Sequence, residues 1–265
     1  MAKGREDGEG AHDLGVGQVR VEGDAGQALE GLDVERVEAD VRDEASLRGA
    51  FRGAATVFHL AALLSTRAEF VPETAHEVNV QGMVTLLEFA QKQGESHGRP
   101  VAFLYPSSIA AYGMPDLNTK AKFPNVREWE WNYPVTMYVC NKLYCEKLGL
   151  YYSQYYGQRH LDPQPPLMCD FRAIRFPGLI SAFTLPSGGT SDYGPEMLHR
   201  AAEGKNYACF VREDTRISFM AMPDAIKSLL MLVDVPRGKL NHQVYNIAAF
   251  AITAGEFRDR AVKAF

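Results

Sequence analysis

The sequence lacks the features that mark several common classes of protein. Its 265 residues include four cysteines, which form no C-x-x-C pair and show no zinc-ligand spacing. This favours reduced thiols, as in the cytoplasm, over disulfides or a metal site. No apolar run is long enough to cross a bilayer. The first residues, MAKGREDGEGAHDLG, resemble neither a signal peptide nor a transit peptide.

A strong excess of charge is also missing. The chain has 28 Lys and Arg residues against 33 Asp and Glu residues, a net charge of −5, and its basic residues are scattered. We therefore expect neither nucleic acid nor a membrane as a partner. A hydrophobic content of 46% is typical of a globular protein with a sizeable core. At this length the chain is one large domain or one domain with a small appendage.

What the sequence does contain is an alternation of strand-like and helix-like segments. Residues 1–16 are polar and without periodicity, so we expect disorder there, followed by a short extended piece at 19–22. Strands are predicted at 34–39, 56–60, 101–105, 170–176, 208–211, 216–222 and 243–247. Helices are predicted at 44–52 (with Asp43 as N-cap), 73–93, 137–156, 193–203, 224–234 and 253–265. The alternation predicts an α/β fold with a doubly wound parallel sheet, whose ligands bind at the carboxyl ends of the strands.

The helical stretch "TMYVCNKLYCEK" places Tyr138 four residues before Lys142. Residues at this spacing share one helix face, and a nearby ammonium lowers the pKa of a phenol from near 10 toward that of a general base. With 12 Tyr and ten Lys in the chain, chance gives roughly 0.5 such pairs. The pair is therefore a candidate base only in combination with other residues.

Two hydroxyls, Ser107 and Ser108, follow the apolar strand "VAFLY". They are either turn residues that satisfy local backbone groups or ligand-facing groups at a strand end. The interval of about thirty residues to Tyr138 favours the second interpretation, because a loop and then the Tyr/Lys helix would follow the strand-end hydroxyl.

Three further segments carry weaker signals. "VFHLAALLS" (57–65) opens into small residues that either admit a flat cofactor ring or pack a helix closely. Asp40 in "EADV" either lies beside an adenine or is a strand-end turn residue. Asn79 is either a buried bridging group or part of an exposed helix face.

A Gly-Gly turn at 188–189 precedes Thr190, Ser191 and Asp192 at the start of a predicted helix. Capping explains one of these three polar residues and leaves the others available for a small polar ligand. Arg216, in the following segment, is either structural or anion-binding.

Together these segments resemble the extended short-chain dehydrogenase/reductase superfamily and, within it, the short-chain L-threonine 3-dehydrogenases. The resemblance runs from about Glu38 to Glu256. The Tyr/Lys pair marks only the superfamily, whereas "RFPGLIS" with "GGTSDY" is more selective. The other segments that carry it are "FHLAALLS", "PSSIAAYG", "TMYVCNK", "EDTR" and "MPD".

The resemblance implies NAD as cofactor and the oxidation of L-threonine, or a similar 3-hydroxy amino acid, to 2-amino-3-ketobutyrate. It implies Tyr138 as general base, Lys142 as its partner and a ligand of the nicotinamide ribose, and Ser108 as the hydroxyl that orients the substrate. Substrate contacts fall on Ser65, Thr190 and Asp192, and the charge of Asp192 suits a substrate ammonium. Dinucleotide contacts fall on Asp40, Val41, Leu60, Ala61, Ala62, Asn79 and Pro177.

The resemblance also implies a dinucleotide-binding domain at 17–176, a substrate-binding portion with returning sheet elements at 177–265, and a homodimer. The family's G-x-x-G-x-x-G turn is missing, because "LGVGQVRVEG" follows no apolar strand and precedes no helix. The chain ends at Phe265, where relatives continue for several dozen residues. We therefore expect a truncated version of a longer enzyme or a degenerate relative, with an incomplete first strand and weak NAD binding. A sugar-nucleotide epimerase or dehydratase and an inactive fragment are the alternative interpretations.

Overall fold

The computed structural model describes residues 33–158 and 165–265, in which four parallel strands form the central sheet. The strands are β1 (Thr56–Phe58), β2 (Val101–Ser108), β3 (Cys169–Phe176) and β6 (Val244–Asn246), in the order β1-β2-β3-β6. Strands β2 and β3 pair along all eight residues, from Val101 with Cys169 to Ser108 with Phe176. The candidate hydroxyls therefore lie at the carboxyl edge of the sheet.

Both faces of this sheet are buried, which explains the nearly continuous apolar runs of its central strands. Phe103 and Phe171 face one core cluster, and Leu104 and Ile174 face another on the opposite side. Successive side chains of a strand point to opposite faces, so both faces need an apolar cover.

Helices supply that cover. They are α1 (Glu44–Arg48), α2 (Ser65–Phe70), α3 (Pro72–His76), α4 (Gly82–His97), α5 (Leu117–Lys122), α6 (Met137–Gln154), α7 (Tyr193–Ala202), α8 (Met222–Asp234) and α9 (Ala254–Ala264). A π-helix, Glu77–Gln81, joins α3 to α4, and 3₁₀ turns lie at Ile109–Ala111 and Arg237–Lys239. Helices α4 and α6 pack on one face of the sheet and α8 on the other. The predicted Rossmann-like α/β fold is thereby confirmed.

A second sheet has three strands: β4 (Gly178–Ile180), β5 (Arg216–Ala221) and β7 (Phe250–Thr253). Strand β5 is parallel to β4 and antiparallel to β7. The chain passes from the first sheet to the second at Pro177, and β6 returns to the first sheet. The predicted domain boundary after residue 176 stays a prediction.

A buried ion pair attaches α8 to the central sheet. Arg172 of β3 donates to a carboxylate oxygen of Asp170 at 2.6 Å. The same guanidinium donates to the carbonyl oxygens of Leu232, Val233 and Val235 at the end of α8. It thus satisfies carbonyls that no helical amide reaches.

Most predicted elements are present, but two predicted strands are wrong. Residues 34–39 have no regular structure, and Val34 and Val37 are about half exposed, because no described strand lies beside them. Residues 208–211 are likewise irregular. The predicted helix at 44–52 ends at Arg48, although the amide of Ala45 donates to Asp43 as expected of an N-cap. Strands β4 and β7 and helices α2 and α5 were not predicted.

Three expectations concern residues outside the described ranges. They are disorder at 1–16, an extended piece at 19–22, and the conclusion that Gly15 and Gly17 do not belong to a dinucleotide-binding turn. All four cysteines are free thiols. Within the described ranges, no helix is long and apolar enough to span a membrane.

Candidate active site

The candidate site lies where the carboxyl end of β2 meets the first half of α6. Helix α6 packs against β2, β3 and the 3₁₀ turn that follows β2. Ser108, the last residue of β2, accepts a hydrogen bond from the amide of Ala110 at 3.1 Å and so caps that turn. Its hydroxyl is partly buried beside the helix that carries Tyr138.

Tyr138 and Lys142 share one face of α6, as their spacing predicts. The Lys142 ammonium lies 5.5 Å from the centre of the Tyr138 ring and 4.5 Å from the centre of the Tyr105 ring. It donates to the carbonyl oxygen of Pro106 at 2.7 Å. Lys142 is only 3% exposed, so its charge acts in an environment of low polarity.

The pKa of Tyr138 moves in the direction opposite to our expectation. Burial raises the pKa of the phenol to about 12, because the phenolate loses hydration. The ammonium of Lys142 is bonded to Pro106 and faces the aromatic ring of Tyr138, so it does not offset this effect. Burial also lowers the pKa of Lys142 to about 8. In the chain alone, Tyr138 is therefore a protonated phenol at neutral pH.

Aromatic groups complete the surroundings of the ammonium. His59, directly after β1, stacks on Tyr105 with ring centres 5.9 Å apart. Burial, aided by the charge of Lys142, lowers the pKa of His59 to about 3. His59 is therefore neutral and adds no second cation beside Lys142.

A buried ion pair that sequence reasoning missed lies one helical turn beyond Lys142. Arg175 of β3 donates from Nε to Oε1 of Glu146 at 2.8 Å and from Nη2 to Oε2 at 2.6 Å. Ser107 donates to Oε1 of Glu146 at 2.5 Å, so its hydroxyl is not free for a ligand. The one signal in the sequence was that Glu146 continues the four-residue spacing of Tyr138 and Lys142.

Asn79 is the buried bridging group, not part of an exposed face. It lies in the π-helix and is 2% exposed. Its Oδ1 accepts from the amide of Leu63 at 2.7 Å, and its Nδ2 donates to the carbonyl of Leu63 at 3.1 Å and to Asn141 at 3.3 Å. It therefore fixes the segment that follows β1.

That segment holds several of the predicted dinucleotide contacts. Leu60 is 65% exposed, and Ala61 and Ala62 are partly buried, so small side chains line an accessible strand end. Val41 and Pro177 are buried.

Asp40 is partly exposed, and its carboxylate is held by Arg42. Arg42 donates to its carboxylate from Nε and Nη2, the latter at 2.6 Å. This interaction lowers the pKa of Asp40.

The Gly-Gly turn is organised by the carboxylate of Asp192. Its Oδ2 accepts from the amides of Ser187, Gly188 and Gly189 at 3.0, 2.9 and 2.7 Å. Gly188 has a φ of 104°, which a residue with a side chain rarely adopts. Thr190 is exposed. Asp192 thus shapes the turn through one oxygen, and Oδ1 takes part in none of these three bonds.

Helix α2 connects this turn to α6. Thr66 donates to the carbonyl of Gly188 from its hydroxyl at 2.7 Å and from its backbone amide at 3.3 Å. At the other end of α2, Glu69 accepts from the amide of Met137 at 2.5 Å, one residue before Tyr138. Ser65, the first residue of α2, is buried next to Thr66. The structure therefore brings the predicted substrate-contacting segments to the same end of α6.

Arg216 is structural: it donates to the carbonyl of Ala251 at 3.0 Å and lies 3.5 Å from Glu256. Within the described ranges, no group of three side chains is arranged to hold a metal ion.

Two features of the described residues suit the nicotinamide half of a dinucleotide. Lys142 has three donor hydrogens, of which Pro106 uses one, and Ala61 and Ala62 after β1 are small and partly buried. No glycine-rich strand-to-helix turn lies within residues 33–158 and 165–265, so the pyrophosphate cradle is not among them.

A Tyr/Lys helix beside a strand-end serine on a parallel sheet defines a short-chain dehydrogenase/reductase type of fold and site. The model of the NAD dependent epimerase/dehydratase family matches residues 9–248. The chain therefore belongs to this family, which confirms the resemblance to extended short-chain dehydrogenases. Membership also confirms NAD as the cofactor expected for the family.

The chain is similar to proteins described as epimerase/dehydratases and to proteins described as L-threonine 3-dehydrogenases. An uncharacterized epimerase/dehydratase of Staphylococcus saprophyticus is 36% identical over 200 residues, which are 74% of this chain and 55% of that protein. The mitochondrial L-threonine 3-dehydrogenase of Bos taurus is 30% identical over 207 residues, 78% of this chain and 50% of that protein. The apo structure of a monomeric L-threonine 3-dehydrogenase from a metagenome is 34% identical with a TM-score of 0.70, covering 87% of this chain and 68% of that one. The chain thus spans about half the length of the Staphylococcus saprophyticus and Bos taurus relatives.

Proposed function

We propose that this chain carries the catalytic residues of an NAD-dependent oxidoreductase that oxidises the secondary alcohol of L-threonine, or of a similar 3-hydroxy amino acid. The observation that carries the proposal is the pair formed by partly buried Tyr138 and buried Lys142 at the carboxyl edge of the sheet. Relatives described as L-threonine 3-dehydrogenases support the substrate class.

In the proposed reaction, Tyr138 accepts the proton of the C3 hydroxyl while the hydrogen on C3 leaves with its electron pair. NAD, when bound, supplies the acceptor for that hydride. The product from L-threonine is 2-amino-3-ketobutyrate, and both the hydride and the proton removed from the alcohol are accounted for. Ser108 donates a hydrogen bond to the alcohol oxygen and so orients it toward Tyr138.

Tyr138 must ionise more easily in the complex than in the chain alone. Burial raises the pKa of its phenol to about 12, and a positive charge placed beside a phenol lowers its pKa. Lys142 supplies one such charge at a distance of 5.5 Å from the ring. The cationic nicotinamide ring would supply a second, so we propose that cofactor binding completes the activation of the base.

The amino acid is recognised, in this proposal, at the turn held by Asp192. Oδ2 of Asp192 is occupied by three amides, and the negative charge attracts the substrate ammonium. Ser65 and Thr190 provide hydroxyls at the same end of α6 for the carboxylate.

The experiment is a comparison of three substrates with NAD, read as the appearance of NADH absorbance. L-Threonine is expected to react, D-threonine to fail, and 3-hydroxybutanoate, which lacks the ammonium, to react with a much higher KM. Asp192→Asn should remove the preference for L-threonine over 3-hydroxybutanoate. Turnover of 3-hydroxybutanoate alone would contradict the amino acid proposal while leaving the alcohol chemistry intact.

A sugar-nucleotide epimerase or dehydratase is the second candidate, because the Staphylococcus saprophyticus relative, at 36% identity, is described as an epimerase/dehydratase. This candidate predicts conversion of a UDP- or GDP-sugar without net production of NADH. Chromatography of the sugar nucleotide after incubation distinguishes it from the first.

We further propose a cytoplasmic homodimer that pairs through α4 and α6. Two exposed tyrosines of α6, Tyr144 and Tyr151, are seven residues apart and therefore share one face, and exposed Tyr155 follows directly as the C-cap. Light scattering of the purified chain measures the oligomeric state, with Tyr151→Lys as the disrupting variant. A monomer, as described for the metagenome relative, would contradict this part.

A further inference from the structure

Two residues of α2 bond to segments that lie far away in the chain. Thr66 donates to the carbonyl of Gly188 from both its hydroxyl and its backbone amide. Glu69 accepts from the amide of Met137, the first residue of α6. Thr66 and Glu69 are three residues apart, which places them on one helix face, about 4.5 Å apart along the axis. A single turn of helix thus joins the Gly-Gly turn to the start of α6.

Glu69 provides α6 with a cap that the N-cap residue of α6 does not provide. The first amides of a helix have no acceptor within the helix. Thr136, the N-cap of α6, makes no side-chain hydrogen bond to these amides. The carboxylate of Glu69 accepts from Met137 at 2.5 Å, and a negative charge at this end of a helix is also favoured by the helix dipole. The start of α6 is therefore fixed from α2, and Tyr138 is the next residue.

Ala68, which lies between Thr66 and Glu69, packs α2 into the surroundings of Tyr138. Its side chain is fully buried in an apolar cluster on which Met137 and Tyr138 also pack. The other buried members of this cluster are Val41, Leu63, Ala75 and Val78. Packed interiors contain little free space, so a displaced helix displaces its neighbours. Tyr138 is therefore coupled to α2 by packing as well as by the bond of Glu69.

The other segment held by α2 is the turn that carries Asp192. The amide of Gly188 donates to Oδ2 of Asp192 at 2.9 Å, while the carbonyl of Gly188 accepts from Thr66. Gly188 is thus held on both sides, and the place of the carboxylate depends on α2. In L-threonine the ammonium and the reacting hydroxyl lie on adjacent carbons. A site for this substrate therefore requires one fixed separation between the group that binds the ammonium and the base.

We propose that Thr66 and Glu69 are positioning residues, through which α2 sets the separation between the carboxylate of Asp192 and the phenol of Tyr138. Glu69 acts on Tyr138 through the start of α6, and Thr66 acts on Asp192 through Gly188. The consequence for the substrate rests on the proposed function, but the effect on the place of Tyr138 does not.

The first test is an NMR spectrum of the chain labelled with carbon-13 at the tyrosine Cζ, without cofactor or substrate. The Tyr138 signal is assigned by its loss in Tyr138→Phe. Glu69→Ala should shift or broaden this signal, whereas Glu69→Gln, which keeps an oxygen acceptor, should leave it close to wild type. Glu73→Ala, at an exposed position of α3, is the matched control and should leave the signal unchanged. Circular dichroism verifies that each variant is folded.

A second variant removes the same hydrogen bond from the side of α6. Met137→Pro lacks the donor, and proline is well tolerated at the first position of a helix. In this background, Glu69→Ala should cause no further change in the Tyr138 signal, because the bond is already absent. An unchanged Tyr138 signal in folded Glu69→Ala, or an equal effect of Glu69→Ala in both backgrounds, overturns the role of Glu69.

Kinetics with NAD separate the two residues, since each acts on a different part of the site. Thr66→Val should raise the KM for L-threonine by about fivefold, the equivalent of one hydrogen bond, and leave kcat unchanged. The KM for 3-hydroxybutanoate, which has no ammonium, should stay the same. Glu69→Ala should instead lower kcat for both substrates, by up to about 10²-fold.

The same changes in KM and kcat in both variants would overturn the separate roles of Thr66 and Glu69. A chain that oxidises neither substrate contradicts the proposed function instead. The NMR comparison needs no turnover, so it decides between the presence and the absence of the coupling from Glu69 to Tyr138 even then.

Discussion

The side-chain amide of Asn79 bonds both the N–H and the C=O of Leu63, at 2.7 and 3.1 Å. The bonds join the π-helix to the segment after β1, sixteen residues away. A π-helical turn is rare and is frequently found at functional sites. Here it directs Asn79 toward the segment that would line the cofactor.

Asn79→Leu should loosen this segment. The substitution leaves two buried backbone groups of Leu63 without partners, which costs about 1–3 kcal/mol of unfolding free energy. Urea denaturation measures the loss, and hydrogen exchange at the Leu63 amide should become faster. Gln81→Leu, at an exposed position of the same π-helix, is the control. Unchanged exchange at Leu63 would contradict the assigned role.

Tyr138→Phe should abolish the proposed oxidation while leaving the fold intact. Loss of a general base lowers kcat by about 10²- to 10⁴-fold, and the ring still packs in the cluster around Val41 and Leu63. Steady-state kinetics with L-threonine and calorimetry of NAD binding measure the two effects. Tyr144→Phe, an exposed tyrosine of the same helix, controls for the lost hydroxyl. Residual turnover within tenfold of wild type would exclude Tyr138 as the base.

The free energy of unfolding should rise as the pH rises above about 8, because buried Lys142 then loses its proton in the folded chain. The pKa of Lys142 is lowered to about 8 in the folded chain, from 10.5. The unfolded chain therefore binds the extra proton between these values, and the penalty for burying the ammonium disappears as pH rises.

Between pH of about 7 and about 10, wild type should gain about 2 kcal/mol of unfolding free energy relative to Lys142→Met. Urea denaturation at several pH values measures the difference. Lys147→Met, at an exposed position of α6, should run parallel to wild type. Parallel curves for wild type and Lys142→Met would refute the lowered pKa.

Gly149 allows α6 to approach β3 closely. A Cβ at this position would lie 2.3 Å from the ring of Phe171. Gly149→Ala should therefore lower the free energy of unfolding by about 1–3 kcal/mol through overpacking, measured by urea denaturation. Gly49→Ala is the matched control, since nothing lies within 4 Å of its Cβ and its φ is −67°. Equal stability of the two variants would show that the interface adapts.

Local patterns in the sequence were sufficient for several conclusions. Helix α6 and its Tyr138/Lys142 face follow from a four-residue spacing within one helix, and the cap by Asp43 follows from its place before α1. Strands β2 and β3 follow from short apolar runs. Each of these features depends on residues that are close together in the chain.

Other conclusions failed because they depend on distant residues. The segment 34–39 has strand-like composition, but a strand requires a hydrogen-bonded neighbour, and no described strand lies beside it. The pKa of Tyr138 rises although a lysine stands four residues away, because packing removes solvent and aims the ammonium at Pro106. Sequence spacing contains no information on burial.

The sequence by itself determined the family, the α/β alternation and the residues that carry the candidate chemistry, because each of these depends on local spacing and short motifs. Only the tertiary structure decided how those residues are charged and held. Glu146 meets Arg175 across 29 positions, and Thr66 meets Gly188 across 122. Side chains so far apart in the chain come together only when the sheet brings its carboxyl ends to one edge.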